Sequence, residues 1–310
     1  MVITPDLKTL KFKIHKGVKY FELVAEPVTQ EILPGVFIKG WGYNGSIPGP
    51  TIQVYPDDYV NIRVYNSLPE ATSIHWHGLD VPNVMDGVPA VGPSPRIEPG
   101  EYFDYHFRII NSPGTHMYHA HVNTAKQDMM GLLGGFVILD PCDKADRDYL
   151  NLMQEWSLVG LKKGETVKFG VYNIEPFTDT FNMFTINGKS FPYTTPMPIE
   201  YGDIVRLRLG AIQINNHPMH LHGHQFEVEK ADGNIINPKD RILKNTILVA
   251  TGETWDVIFK ADNPGIWPFH CHISHHISNN FTYGTGGMFT TLVYKTDKHS
   301  QAKDDNIKIE

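Results

Sequence analysis

Ser73-Ile-His75-Trp-His77-Gly78 and, 145 residues later, Pro218-Met-His220-Leu-His222-Gly223 are two copies of one phrase. The same spacing separates Asp58-Tyr-Val-Asn-Ile-Arg63 from Asp203-Ile-Val-Arg-Leu-Arg208. Further on, Gly100-Glu-Tyr-Phe-Asp-Tyr-His-Phe107 returns as Gly252-Glu-Thr-Trp-Asp-Val-Ile-Phe259 after 152 residues. Pro113-Gly114 through His119-Ala-His121 returns as Pro264-Gly265 through His270-Cys-His272 after 151. Four correspondences at a nearly constant offset make the chain a tandem repeat of one unit. The expected domains are 1–145 and 146–310, with the boundary near Asp140 to Leu152, where a charged Pro-Cys-Asp-Lys segment interrupts the pattern. Each unit is large enough to bury its own core.

The runs within each unit alternate apolar and polar residues and stop at Pro-Gly, Asp-Gly or Asn-Gly. Thr51 to Tyr55, Tyr59 to Tyr65, Glu101 to Ile109, Phe136 to Leu139, Ile204 to Leu209, Gln225 to Glu229, Glu253 to Lys260 and Phe289 to Tyr294 all read this way. Such spacing predicts an all-β chain of two sandwiches. Ala125 to Leu133 and Asp143 to Asn151 are the expected short helical pieces.

The 310 residues carry a formal charge of −7, which argues against a nucleic-acid partner. No apolar run approaches the ~18 residues of a membrane helix, and Met1 to Lys19 lack the apolar stretch of a secretory signal. Two cysteines make no disulfide scaffold.

Histidine, with 16 residues, is the surplus. Ten fall in four clusters: His75 and His77; His119 and His121; His217, His220 and His222; His270, His272 and His276. In a strand, His-x-His puts both imidazoles on one face about 7 Å apart, spacing that suits two ligands for one metal or for neighbouring metals. The intervening Trp76, Ala120 and Leu221 then face a core. One such pair is weak evidence; four at matched offsets point to metal binding. In the fourth pair the intervening residue is Cys271, on the opposite face yet one peptide from His270 and His272. A thiolate with His217, His276 and a nearby Met288 matches the ligand set of a blue-copper electron-transfer site. Electrons entering at Cys271 would have a path through its own backbone to the flanking imidazoles. The first unit lacks this set at every position: Thr72 stands for His217, Ala120 for Cys271 and Ala125 for His276. Zinc, the rival metal, needs four ligands in a structural site and leaves eight further histidines unexplained. His15, His106, His116, His224, His275 and His299 are expected not to be ligands. Cys142 is expected to be a buried free thiol, not bridged to Cys271.

His75-Trp-His77-Gly78, His119-Ala-His121, His217-Pro-Met-His220-Leu-His222-Gly223 and His270-Cys271-His272-Ile-Ser-His275-His276 resemble the four copper motifs of multicopper oxidases, over roughly residues 35 to 295. The two-copy layout is similar to the two-domain, laccase-like branch. The resemblance implies tandem cupredoxin-like Greek-key β-sandwiches and four coppers per chain: one type 1, one type 2 and two type 3. By position, the type 1 ligands would be His217, Cys271, His276 and Met288. Type 2 would take His75 and His220; the type 3 pair would take His77, His119, His121, His222, His270 and His272. Asp86 stands where the family has a carboxylate assisting proton delivery; Asp86-Gly87 is also a turn signal.

The resemblance implies one-electron oxidation of phenols or aromatic amines coupled to reduction of O₂ to water. Its runners-up are oxidation of Cu(I) or Fe(II), a copper nitrite reductase and a non-enzymatic copper electron carrier. It implies a homotrimer whose clusters bridge subunits, no membrane partner and an extracytoplasmic location. Two departures stand out. Met288 lies twelve residues after His276, not five, which places a seven-residue insertion within Ile277 to Gly287; Phe281 and Tyr283 there are expected beside the type 1 site. Ile277 occupies a position where some relatives carry a polar or acidic residue.

Overall fold

A computed structural model describes residues 1–295; the tail beyond, with His299, lies outside the described residues. Each repeat becomes a sandwich of two sheets. In the first, the strands Gly170–Asn173, Val36–Tyr43, Val18–Leu33, Tyr59–Asn66 and Tyr102–Arg108 lie side by side, with Lys13–His15 added on Val18–Leu33. They face Gly49–Val54, Leu133–Ile138, Gly114–Ala120 and Ile74–His77. In the second, one sheet runs Met183–Ile186, Arg147–Trp156, Ile204–Ala211, Thr254–Lys260, Phe226–Ala231 and Asn234–Ile235. The other runs Met197–Ile199, Phe289–Tyr294, Ile266–Cys271, His217–Leu221 and Thr246–Val249. This is the cupredoxin-like arrangement expected of the repeats.

The repeats pair as their sequences do. Tyr59–Asn66 is antiparallel to Tyr102–Arg108, and Ile204–Ala211 is antiparallel to Thr254–Lys260. Ile74–His77 pairs with Gly114–Ala120, setting His75 opposite His119; His217–Leu221 pairs with Ile266–Cys271, setting His220 opposite His270. Alternation does the rest: Trp76, Ala120 and Leu221 go fully into their cores. Trp76 sits among Tyr105, Phe107, Tyr118 and Phe136, a contact set that fixes the strand carrying His75 and His77.

Two expectations are corrected. Asp143 to Asn151 is not helical: Arg147–Trp156 is a strand. Its residues are buried on both faces, Tyr149 and Met153 in the second core and Leu150 and Leu152 in the contact between halves, so no alternation shows. Cys142 is exposed, because its segment is a surface turn in which its amide N–H donates to Asp140 Oδ1. Both cysteines are free, as expected. The other helical piece is real and short, Thr124–Met130.

Besides the apolar contact around Leu150 and Leu152, three further features join the halves. Gly170–Asn173 crosses over to lie parallel to Val36–Tyr43. A shared apolar cluster joins Ile32, Ile38 and Ile47 to Trp156, Ile174 and Met183. A buried ionic group lies where Gly114–Ala120 meets the second sandwich: Arg208 reaches Asp148 at 2.6 Å, Asp256 at 3.0 Å and Thr115 Oγ1 at 2.9 Å.

Candidate metal centres

The second sandwich brings His217, Cys271 and His276 together, all buried. Cys271 Sγ is 3.5 Å from His276 Nδ1 and 4.0 Å from His217 Nδ1, and the two Nδ1 atoms are 3.3 Å apart. His217 arrives on one strand and Cys271 on its neighbour, whereas His276 comes from a 3₁₀ turn, Ser274–Ile277. Each imidazole is held by its outer face. His217 Nε2 donates to Glu155 Oε2 at 3.1 Å, and His276 stacks on Phe184 with centroids 4.1 Å apart. Met288 is fully buried in the same core; its amide donates to His276 O at 2.7 Å, and its carbonyl accepts from Cys271 N–H at 3.0 Å. Gly287 makes that return possible: its φ is +61°, and a Cβ there would stand 2.1 Å from His276 O.

Burial pushes the Cys271 thiol up to about 12, and burial with the neighbouring His217 pulls His276 down to about 3. The pocket therefore favours a neutral His276 and leaves the sulfur needing a cation to become a thiolate. Two imidazoles and one sulfur, converging in a dry apolar setting, fit the trigonal donor set of a blue copper.

Across one strand from Cys271, His220, His222, His270 and His272 cluster on the other face. His222 Nε2 and His270 Nε2 are 3.0 Å apart, and His220 lies 5.5 Å from His272 by ring centroid. The first sandwich presents the matching group. His77 Nδ1 is 3.3 Å from His119 Nε2; the His75 ring lies 5.4 Å from His119 and 5.5 Å from His121. Outer hydrogen bonds select the metal-facing nitrogen. His75 Nδ1 meets Asp86 O at 2.9 Å and Asp86 Oδ1 at 3.2 Å. His119 Nδ1 meets Ala120 O at 2.9 Å and Asp128 Oδ2 at 3.2 Å. His220 Nδ1 meets Asn245 O, and His270 Nδ1 meets Cys271 O, each at 2.8 Å. Burial and neighbouring histidines lower His77 to about 4, and they lower His75, His222 and His270 as well. Among the described residues, imidazole contacts run within each foursome and none joins the two.

Asp86 is both a turn residue and a partner of His75. Gly87 holds that turn at φ +79°, where a Cβ would collide with Ile74 O at 1.7 Å. Two side chains that contact these histidines escaped the sequence reading. Glu155 lies in the strand expected in part to be helical. Asp128 lies on the short helix after His121, with its carboxyl raised by burial and its Oδ1 unpartnered. Neither stands in a motif that would mark it.

Paired β-sandwiches with a sulfur–imidazole site and two polyhistidine faces define a copper protein of the multicopper oxidase class. Two multicopper oxidase family profiles match residues 26–143 and 161–284, and the chain belongs to that family. It is similar to the blue copper oxidase of Nitrosomonas europaea, with 31% identity, a TM-score of 0.78 and coverage of 89% of this chain and 85% of that one. It is 35% identical over 162 residues to the multicopper oxidase mco of Staphylococcus aureus, covering 50% of this chain and 35% of that protein. It is 27% identical over 313 residues to a probable nitrite reductase-hydroxylamine oxidoreductase fusion protein of Kuenenia stuttgartiensis, covering 96% of this chain and 34% of that one. The chain thus spans about a third of the length of these curated relatives.

Proposed function

We propose that this chain is a laccase-like oxidase that takes single electrons from phenols or aromatic amines and passes them to O₂, forming water. The observation that supports this most is the placement of Cys271: its sulfur faces His217 and His276, while its neighbours His270 and His272 face the other way. Copper bound at these groups supplies one-electron chemistry at the first and multi-electron reduction of O₂ at the second. The type 1 ligands would be His217, Cys271, His276 and Met288; the other eight histidines would hold three coppers.

The chain's own contributions are positional. Glu155 orients His217, Asp128 orients His119, and Asp86 holds His75 and keeps a carboxylate beside that imidazole for proton delivery. The Cys271 backbone is the covalent link between the two groups. Because the two foursomes stand apart within one chain, we infer that the first sandwich of one subunit completes the second of its neighbour, closing a ring of three.

Metal analysis with an oxygen electrode tests the reading. Four coppers per chain, an intense blue band and O₂ uptake with a phenol are expected. One copper and no O₂ uptake would make the chain an electron carrier; nitrite reduction without O₂ uptake would favour the reductase. A native mass showing an active monomer would overturn the ring.

A further inference from the structure

The copper ligand His276 is nearly sealed, at 2% exposure, with its ring face covered by Phe184. Its neighbour His275 is exposed, meets His276 edge-on at 4.5 Å and stacks flat on Phe281 at 5.3 Å and 11°. A continuous run of rings therefore leads from the site to the surface through the inserted loop.

That loop is held in an unusual conformation. Asn280 and Phe281 both have positive φ, +55° and +60°, rare for a bulky residue such as Phe281. Asn280 fixes them: its Nδ2 donates to Lys162 O and Glu165 O, both at 2.7 Å, and its backbone N–H donates to Asn182 O at 2.8 Å. Conformational cost retained at such a place is a signature of function. Together the loop and the turn around residues 157–163 form a groove of about 450 Å³, lined by Leu158, Lys163, Phe181, Asn280 and Phe281. The volume suits a single-ring or two-ring ligand.

Two polar groups mark the groove. Asn280 has no exposed surface, and its Oδ1 lacks a hydrogen-bond partner. The Lys163 ammonium lies 4.3 Å from the Phe281 ring centroid. Among the described residues no carboxylate pairs with it; Glu175, the acid on the lining, accepts the Phe177 N–H at 3.0 Å.

We propose that the reducing substrate docks in this groove against Phe281, the ring that stacks on His275, instead of on the ligand His276, and that Lys163 selects aryl donors carrying a carboxylate. This rests on the oxidase reading above. The aryl ring would pack on Phe281 and the carboxylate would pair with Lys163.

The test uses copper-loaded, full-length protein. Calorimetry with the redox-inert probe 4-methoxybenzoate should show binding that weakens by about tenfold in Lys163→Ala and in Phe281→Leu. The cationic analogue 4-methoxybenzylammonium should bind at least about tenfold more weakly than the benzoate. Both variants should keep the visible band of the type 1 site, since neither residue is a ligand. In turnover, Lys163→Ala should raise KM for a carboxylated phenol more than for its neutral parent. Absence of benzoate binding, equal binding of the two probes, or binding insensitive to both substitutions would overturn the docking site. If the protein consumed no O₂ with any aryl donor, the oxidase reading would fail, and calorimetry would still decide the groove.

Discussion

His217 Nε2 lies 3.1 Å from Glu155 Oε2, and neither side chain has any exposed surface. Glu155 is itself fixed by the Asn215 N–H at 2.8 Å and by its own amide donating to Gln213 Oε1 at 2.8 Å. The carboxylate thus chooses the His217 tautomer and leaves Nδ1 for the metal. Glu155→Ala should weaken type 1 copper binding by about 10–100-fold. Copper titration followed by the blue band would show it, and Glu155→Gln, which keeps an acceptor, should lose less.

In the proposed assignment Cys271 supplies the sulfur ligand. Cys271→Ser should remove the intense visible band and lower bound copper by about one per chain, because His220, His222, His270 and His272 face the other side of the strand and the remaining four histidines lie on the first sandwich. Retention of the blue band would place the sulfur site elsewhere.

Asp128 should matter to the opposite site. Its Oδ2 holds His119 at 3.2 Å. Asp128→Ala should reduce copper affinity of the histidine cluster by about 10–100-fold while the blue band persists. Copper counting beside the visible spectrum separates these outcomes.

Arg208, 1% exposed, neutralises Asp148 and Asp256 between the sandwiches. Arg208→Leu would leave the buried Asp256 without its ion pair, while Asp148 keeps Arg206 at 3.0 Å, and should cost about 3–5 kcal/mol, read by denaturant unfolding. A loss below about 1 kcal/mol would mean that the group is solvated or replaceable.

His116 supplies a pH dependence. Burial first, then the charges of His77, Arg208 and Lys230, lower it from 6.5 to about 4, and its Nε2 has no partner. The folded state therefore favours the neutral ring, and the unfolded chain binds the proton more readily. The contribution is complete above pH 6.5 and is lost as pH falls through about 4. Tm measured across that window should fall less steeply in His116→Leu than in the parent chain.

What the sequence made legible was whatever repeated. His75 with His77 and His220 with His222 announce a common strand twice, and the structure pairs both strands alike. Period two also told which neighbour faces the core, as Trp76 and Leu221 show. Arg147–Trp156 was hidden because burial on both faces erases alternation, and with it went Glu155. Asp128 was hidden because its partner His119 is nine positions away, across a turn and a short helix. Cys142 misled because a lone thiol carries no pattern; only the turn around Asp140 decides its exposure.

Gly170–Asn173 lies parallel to Val36–Tyr43, a strand of the second half laid on the first half's sheet. Severing the chain at 145/146 would therefore strip the amino-terminal fragment of its outermost ladder and bare amide hydrogens and carbonyls along Val36 to Lys39. A gene encoding only that fragment would yield a sticky half-product, so duplication here ended in mutual dependence between the copies.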